Sequence, residues 1–197
     1  MFISFEGIDG SGKTTQSRLL ADALRADGAD VVLTREPGGT PLGEEIRELL
    51  LHGGHVAPWA EAALYTASRA QHVDEVIRPA LTRGATVVCD RYLDSSLAYQ
   101  GIARGLGVDE VLALNLVVTD GLLPDTTFLL LLDPEVAAAR WGEADRLERE
   151  GGELQAKVDA AYRALAGRFP DRIVAVDAGR PPAEIAKDVR ERLRDRS

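Results

Sequence analysis

The chain has 197 residues, a length that suits one domain with a well-buried core. Its formal net charge of -9 and its sequence pI near 4.9 argue against a protein that coats nucleic acid or an anionic membrane, because such proteins carry a dominant basic face. The single cysteine, Cys89, cannot form an internal disulfide, which fits a reducing compartment. We therefore expect no nucleic-acid or membrane partner, and local cations must hold any anionic ligand.

Five short β-rich runs alternate with longer segments of helical period, a pattern typical of an α/β protein. Most of these runs are apolar throughout, as expected for parallel strands that helices cover on both faces. No apolar run approaches the ~20 residues that a membrane helix needs, and no charged and apolar leader precedes the first run, so we expect a cytoplasmic protein. The predicted strands are Ile3 to Phe5, Val31 to Leu33, Thr86 to Cys89, Phe128 to Leu132 and Ile173 to Val176.

The segments between the predicted strands show helical periodicity. The stretch from Ala60 to Arg83 is long enough for a helix of several turns, and Pro79 is expected to bend or end it. The apolar face of the helix after the first strand is marked by Leu19, Leu20, Ala23 and Leu24.

The first predicted strand runs directly into Gly-x-x-x-x-Gly-Lys-Thr, from Gly7 to Thr14, and an amphipathic helix follows. This order of strand, loop and helix distinguishes a phosphate-binding loop from a glycine-rich turn without a ligand. Lys13 would reach the β- and γ-phosphates of a nucleotide, and the Thr14 hydroxyl would bind Mg²⁺. The residues predicted to bind the nucleotide are Gly7, Ile8, Asp9, Gly10, Ser11, Gly12, Lys13, Thr14 and Thr15.

A phosphate-binding loop alone leaves several functions open. GTP-binding switches usually carry Asn-Lys-x-Asp to read the base, whereas the only asparagine of this chain, Asn115, is followed by Leu116. The chain is also short for an ATP-driven motor. Phosphoryl transfer to a small acceptor remains, beside a nucleotide-sensing module that keeps the loop without turnover.

Polar residues follow two of the other predicted strands, at the edge of the sheet where ligands gather. Arg35 and Glu36 follow VVLT, and Arg35 can grip a phosphate with two hydrogen bonds. A solvated surface ion pair is the alternative for these two residues. Asp90 and Arg91 follow TVVC; Asp90 can hold Mg²⁺ through water, and Arg91 can bridge two phosphate groups.

Five segments, GIDGSGKTT, TREPGGT, LYTASRAQH, DRYLDSSLAYQG and DRLE, follow one another in an order and at separations that resemble the bacterial thymidylate kinase family. The resemblance covers nearly the whole chain. It implies a P-loop NTPase fold, with a parallel sheet of about five strands, helices on both faces and a short lid. It also implies a single nucleoside monophosphate kinase domain over residues 1–197 with the lid near 140–150, and a homodimer.

The reaction that this resemblance implies is phosphoryl transfer from ATP to dTMP with Mg²⁺, giving ADP and dTDP. Two alternatives remain open at this point: another nucleoside monophosphate or deoxynucleoside kinase of the same fold, and the non-catalytic nucleotide-binding module.

The resemblance also assigns the acceptor site. Tyr65 and Arg69 lie four residues apart, hence on one face of the long helix, although a core tyrosine and a surface arginine would explain the pair in isolation. In the family these two positions stack on the pyrimidine and donate hydrogen bonds to it, and the arginine at Arg35 lies near the monophosphate, beside Glu36. By the same match, Ser96 and Gln100 contact the thymine edge and Tyr99 fills the space of a ribose 2′-hydroxyl.

Asp9 places a carboxylate in a loop that binds anions. It can accept hydrogen bonds from Arg91 or bind the water shell of Mg²⁺ on the acceptor side, and capping the turn is the structural alternative. Gly10 and Ser11 bring no cation to the loop, so the lid is expected to supply the transition-state arginine. The expected catalytic residues are Asp9, Lys13, Arg91 and the lid residue Arg146, which matches a family position. Relatives often carry paired aromatic residues where this chain has Leu154 and Gln155.

Overall fold

The structure, a computed structural model, describes residues 1–140 and 152–196. Five parallel strands form one sheet in the order β2-β3-β1-β4-β5, so the predicted parallel sheet is confirmed. Most of the buried apolar side chains form one contiguous core around this sheet. The strands are β1 (Phe2–Glu6), β2 (Val31–Arg35), β3 (Thr86–Asp90), β4 (Thr126–Leu131) and β5 (Ile173–Asp177).

Helices surround the sheet. The helix α1 packs against β1, β2 and β3 and also against α9, whereas α8 packs against β4, β5 and the segment that follows α5. No helix within the two described ranges is long and apolar enough to cross a membrane. The helices are α1 (Lys13–Ala26), α2 (Pro41–His52), α3 (Pro58–His72), α4 (Arg78–Thr82), α5 (Leu93–Ser96), α6 (Val108–Val118), α7 (Pro134–Ala138), α8 (Gly152–Arg168) and α9 (Pro182–Arg194).

The strands end later than their apolar runs. Four of the five continue into a charged residue, since the hydrogen-bonded ladder does not stop where hydrophobicity does: Glu6, Arg35, Asp90 and Asp177. The strand β4 was predicted to end at Leu132, but it ends one residue earlier, at Leu131. The register sets Phe5 of β1 and Arg35 of β2 opposite Asp90 of β3, so these carboxyl ends lie side by side.

The long helix predicted from Ala60 to Arg83 is continuous but changes its hydrogen bonding. Residues Val73–Ile77 form a π-helical segment between α3 and α4, and Pro79 lies in the first turn of α4. A proline lacks the N–H that an interior helical residue donates, and a π-helical turn is one way for a helix to accommodate that loss. The helix therefore changes pattern before Pro79 and does not end there.

The buried face of α1 differs from the predicted one. Leu20 and Ala21 are buried, whereas Leu19 is 38% exposed. The buried face of the helix also includes Lys13 and Ser17, which are polar. The apolar pattern alone therefore placed the buried face one residue too early in the sequence.

The predicted lid lies mostly outside the described residues, which stop at Arg140 and resume at Gly152. Arg146 falls in that gap, so its role and the division into one kinase domain with a lid stay predictions. The first residues of α8 are described, and both Leu154 and Gln155 are buried. Gln155 is 1% exposed, and both polar atoms of its amide lack a hydrogen-bond partner among the described residues.

We expect Gln155→Leu to stabilise the protein. A buried amide without partners carries a desolvation penalty, and leucine fills a similar volume without polar atoms, so the free energy of unfolding should rise by about 1 to 2 kcal/mol. Urea denaturation of both proteins measures the difference. Gln71→Leu is the control, because that amide is partly exposed and donates to Glu75. A loss of stability in Gln155→Leu alone would contradict the prediction.

Candidate functional site

The loop between β1 and α1 leaves the start of the helix open. Gly12 stands at the helix N-cap with φ of 95°, and no side chain caps the helix there. The first N–H groups of α1 are therefore available to an anion, which the helix dipole also attracts. A β-carbon on Gly10 would come within 2.4 Å of the Ala137 carbonyl oxygen, so the loop backbone packs too closely against α7 for any larger residue.

An open cleft, which we call the loop cleft, lies over this helix start. Gly7 and Ile8 are buried beneath the loop and do not line the cleft, in contrast to the other seven predicted nucleotide-binding residues. The Ser11 hydroxyl and the Gln16 amide oxygen are buried without a partner among the described residues. The cleft is lined by Asp9, Gly10, Ser11, Gly12, Lys13, Thr14, Thr15, Gln16, Arg35, Glu36, Arg47, Asp90, Arg91, Arg140, Ala178, Arg180, Pro182 and Ile185.

Lys13 is a buried cation at the floor of the loop cleft. Its Nζ donates a hydrogen bond to the Ile8 carbonyl at 2.8 Å and lies 3.7 Å from an Asp9 carboxylate oxygen. Burial, and then the nearby charge of Arg91, lower the pKa of Lys13 to about 8, although Asp9 and Asp90 favour the charged form. A bound phosphate would add negative charge at this point and favour the protonated lysine further.

The Asp9 carboxylate forms ion pairs with both Lys13 and Arg91. Its carboxylate accepts hydrogen bonds from Arg91 Nη2 and, at 3.2 Å, from the Tyr99 hydroxyl. Burial alone would raise the pKa of Asp9, but the charges of Arg91 and Lys13 outweigh burial and hold that pKa well below its usual range. The carboxylate is therefore ionised and accepts a hydrogen bond from Arg91, one of the two arrangements that the sequence left open.

Arg91 has an uncommon backbone conformation. Its φ of 70° lies in the left-handed region, which costs energy for a residue with a β-carbon and occurs often at functional sites. The guanidinium carbon lies 5.6 Å from the centre of the Tyr99 ring. Burial would lower the pKa of Arg91, but the charge of Asp9 outweighs it and keeps the pKa well above its usual value. Arg91 is therefore a permanent cation with an enforced position.

Thr14 and Asp90 present oxygen atoms to the loop cleft. The Thr14 hydroxyl donates to Asp90 Oδ2 at 2.5 Å, and both residues line the loop cleft. A hydroxyl and a carboxylate are the hard oxygen ligands that Mg²⁺ prefers, so these two residues fit the predicted metal site. The described residues contain no group of three or more histidine, cysteine, aspartate or glutamate side chains that could hold a metal ion.

A second, deeper space, which we call the inner cavity, adjoins the loop cleft and shares Asp9, Glu36, Arg47 and Arg91 with it. Arg35 does not line the inner cavity; it lines the loop cleft, where its guanidinium donates to Glu44 at 2.8 Å and 3.0 Å. The structure brings the remaining predicted acceptor residues together in the inner cavity: Glu36, Tyr65, Arg69, Arg91, Ser96, Tyr99 and Gln100.

Arg69 lies buried in the wall of this cavity, with 1% of its surface exposed. Its Nε donates to Glu36 at 2.7 Å, and its Nη1 donates to Ser96 at 3.0 Å and to the Asn115 side chain. Its Nη2 donates to the Tyr92 carbonyl at 3.2 Å. A guanidinium has five N–H donors, so these four bonds leave one on Nη2 for which the described residues supply no acceptor. The arginine is held by four hydrogen bonds and retains one N–H donor without a partner among the described residues.

Sequence reasoning missed several residues that support this wall. His72 is fully buried and contacts Thr34 at 2.7 Å and Glu36 at 3.0 Å through its two ring nitrogens. Its spacing of seven from Tyr65 and three from Arg69 continues the face of those residues only approximately, so the sequence pattern predicted no more than a surface or structural role for it. Asn115 could not be found from helical spacing, because α6 lies far along the chain. Arg47, which lines both spaces, carried no motif of its own.

Comparison with known proteins agrees with this arrangement. A sequence model of the family described as thymidylate kinase matches residues 5–189. The chain belongs to the thymidylate kinase family. A thymidylate kinase of Leifsonia xyli subsp. xyli is 56% identical over 98% of this chain and 94% of its own, and one of Clavibacter michiganensis subsp. michiganensis is 53% identical over 98% and 93%.

The fold comparison gives the same result as the sequence comparison. The crystal structure of thymidylate kinase from Ehrlichia chaffeensis superposes with a TM-score of 0.82 at 35% identity and covers 98% of both chains. The P-loop NTPase fold predicted from the sequence is thereby confirmed. In this thymidylate kinase family member, the loop cleft and the inner cavity meet at Asp9 and Arg91.

We expect Asp9→Asn to destabilise the ligand-free protein by on the order of 2 kcal/mol, because Lys13 and Arg91 lose the anion that both approach. Since the folded-state pKa of Asp9 is depressed, its contribution is fully present above the unfolded pKa of about 3.9 and is lost as pH falls below that value. Denaturation of both proteins between about pH 2 and pH 7 should show a difference in the free energy of unfolding that is constant above about pH 5 and shrinks at lower pH.

Asp30→Asn is the matched control for Asp9→Asn. Asp30 pairs with Arg83 at 3.1 Å on the surface, where such pairs contribute between about 0 and 1 kcal/mol. Equal stability changes in the two variants would show that Asp9 is no more than an ordinary surface partner.

Proposed function

We propose that this protein transfers the γ-phosphoryl group of ATP to dTMP, giving ADP and dTDP. One observation carries the proposal: a cleft over a phosphate-binding loop and a cavity lined by base-reading side chains share Arg91 and Asp9. A phosphoryl group that moves between two nucleotides must pass such a junction. A cation held there would neutralise charge on the transferring group.

On the donor side, ATP would lie in the loop cleft with its phosphates on the N–H groups of α1 and on Lys13. Mg²⁺ would be held by Thr14 and, through water, by Asp90, and would neutralise phosphate charge when bound. The far end of the cleft is formed by Ala178, Arg180 and Pro182, which follow β5 and offer a wall for the adenine. These three residues carried no signal in the sequence.

On the acceptor side, dTMP would lie in the inner cavity with its phosphate toward Arg91. The remaining Nη2 donor of Arg69 suits one carbonyl oxygen of a pyrimidine, and the Tyr65 ring beside it suits stacking. Gln100 is fixed because its amide nitrogen donates to Glu61 at 2.9 Å, which turns its carbonyl oxygen away from that carboxylate. The site therefore offers one donor and one acceptor to the base.

Two alternative functions are less well supported. A non-catalytic nucleotide-binding module has no need of Arg91 in a strained conformation at the junction of two sites. Another kinase of the same fold would need different hydrogen-bonding groups where Arg69 and Gln100 face the base. The lid arginine Arg146, Arg35 near the monophosphate, the homodimer and the cytoplasmic location stay predictions from the sequence.

An acceptor panel tests the function directly. With ATP and Mg²⁺, dTMP should be the preferred acceptor, and kcat/KM for dCMP or dGMP should be lower by about 10²-fold or more. Cytosine has an amino group and an unprotonated ring nitrogen where thymine has a carbonyl oxygen and an N–H, and guanine is a larger purine. Steady-state assays of each nucleotide measure this order. Lys13→Ala, prepared in parallel, should lose at least about 10²-fold of the rate, which identifies this chain as the source of the activity. If another nucleotide is the best acceptor, the result supports a different kinase of the same fold. If no nucleotide is phosphorylated, the result supports a non-catalytic nucleotide-binding module.

Tyr99 allows a sharper test of the sugar contact. If its ring fills the space of a ribose 2′-hydroxyl, Tyr99→Ala should narrow the preference for dTMP over ribothymidine monophosphate. Tyr99→Phe should keep the preference, because it keeps the ring and loses only the hydroxyl that donates to Asp9. Values of kcat/KM for both acceptors measure the ratio. An unchanged ratio in Tyr99→Ala removes the ring from this role, and a ratio changed equally in both variants assigns the effect to the hydroxyl.

A further inference from the structure

A second buried carboxylate, Glu6, lies behind Arg91 and has no place in the transfer described so far. It is the last residue of β1 and is fully buried. Its Oε1 accepts hydrogen bonds from the backbone N–H groups of Tyr92 at 2.8 Å and Ser95 at 3.2 Å. Its Oε2 accepts from the Ser95 hydroxyl at 2.6 Å and from the Tyr162 hydroxyl at 2.8 Å. Four donor groups from three residues therefore converge on one carboxylate.

The two hydroxyl groups connect Glu6 to Arg91. Arg91 Nη1 donates to the Ser95 hydroxyl oxygen at 3.1 Å and to the Tyr162 hydroxyl oxygen at 3.2 Å. A hydroxyl group has one proton and can accept through its lone pairs. The two hydroxyl oxygens also lie 3.0 Å from each other, but an ionised Glu6 is the stronger acceptor for both protons. With both protons on Glu6, both oxygens present lone pairs to the guanidinium. Glu6 thus sets the direction in which the two hydroxyl groups bind Arg91.

The same guanidinium is held from the opposite side. Its Nη2 donates to Asp9, and the backbone of Arg91 is strained, so the side-chain position depends on these contacts. We propose that Glu6 is a positioning residue that acts on Arg91 through the hydroxyl groups of Ser95 and Tyr162. The inference rests on the proposed function, in which Arg91 contacts the transferring phosphoryl group. A guanidinium clamped on two sides is preorganised for that contact.

The protonation state of Glu6 affects this clamp. An ionised carboxylate accepts all four hydrogen bonds, whereas a protonated one has a proton of its own to donate and displaces one donor. Burial and then Asp94 raise the pKa of Glu6 to about 7, and Arg91 opposes them. The clamp is therefore complete above that pH and loosens as pH falls through it. The other titratable groups that interact with Glu6 are Lys13 of α1, Cys89 of β3, Tyr162 of α8 and Arg172 before β5.

Glu6→Gln tests the proposal without changing the side-chain volume. Glutamine has one acceptor oxygen and one N–H₂ group. The backbone N–H groups of Tyr92 and Ser95 cannot turn away, so the amide oxygen is expected to face them, and the N–H₂ group then faces the two hydroxyl groups, which can no longer donate to this position. We expect kcat to fall by about 10- to 100-fold, while KM for dTMP and ATP changes little, because a displaced Arg91 weakens the transition state more than ground-state binding. In the wild type, kcat should rise with pH through about 7. That acidic limb should be absent in Glu6→Gln.

Tyr162→Phe gives an independent variant that keeps Glu6. It removes one of the two hydroxyl groups, so kcat should fall less than in Glu6→Gln and the acidic limb should remain. The kcat of the double variant should be no lower than that of Glu6→Gln, because both changes act on Arg91 through the same pair of hydroxyl groups. Ser4→Ala is the matched control on the same strand: its hydroxyl bonds to Thr127 at 2.8 Å and has no link to Arg91. Its kcat and pH profile should match the wild type.

NMR of the Arg91 side chain tests the role of Glu6 without enzymatic turnover, so it can fail or succeed independently of the proposed function. In ¹⁵N-labelled protein, the Arg91 Nη resonances should report slow guanidinium rotation in the wild type and fast rotation in Glu6→Gln, with folding checked by thermal unfolding. An inactive wild type that still shows this difference overturns the proposed function alone. Two results in Glu6→Gln would overturn the role of Glu6. One is a rate of Arg91 guanidinium rotation that equals that of the wild type, and the other is a kcat that equals the wild-type value and still falls at acidic pH.

Discussion

The ion pair between Asp9 and Arg91 joins the two halves of this site. Asp9 comes from the loop after β1, and Arg91 follows β3, the neighbouring strand. The same carboxylate lies 3.7 Å from Lys13, so one anion spaces the cation of the loop cleft from the cation of the inner cavity. Without it, the two cations would lose the carboxylate that both approach, and Asp90 and Glu6 would be the remaining nearby anions. A carboxylate inside a phosphate-binding loop is therefore a means of placing positive charge, and it does not compete with the phosphates.

The chain is acidic overall, with a formal charge of -9, yet cations concentrate at one edge of its sheet. Lys13, Arg35, Arg47 and Arg91 all line the loop cleft. Their charge acts at short range on a ligand in the cleft, whereas the charge of the acidic surface is screened within about 10 Å at moderate salt. The overall charge disfavours extended polyanions such as nucleic acid, and the local charge accepts a nucleotide.

The sequence carried enough information for the fold and for the parts of the site that lie in continuous motifs. All five strands were predicted within one or two residues, because parallel strands covered on both faces are short and apolar. Their polar last residues were assigned to the loops, since hydrophobicity ends before the ladder does. The contacts within the wall of the inner cavity could not be predicted from continuous motifs. Arg69 depends on Glu36 and on Asn115, which lies 46 positions further along, and no local pattern reports such a pairing.

Glu6 shows why a buried polar residue can escape a motif search. It lies between the predicted core strand, Ile3 to Phe5, and the first glycine of the phosphate-binding loop, so neither prediction includes it. Ser4 is buried two positions earlier and makes a structural contact with Thr127. What separates the two residues is where their hydrogen bonds lead. The bonds of Ser4 continue into the buried pair of Asp94 and Arg172, whereas those of Glu6 lead through two hydroxyl groups to Arg91.

The cost of burying Glu6 is consistent with that difference. A carboxylate with four hydrogen bonds is well satisfied, but its desolvation still opposes the charged form and brings its pKa to about 7. A core strand can avoid that cost with an apolar residue, as Phe5 does at the preceding position. The polar residue at this position is therefore better explained by the orientation of Arg91 than by the stability of β1.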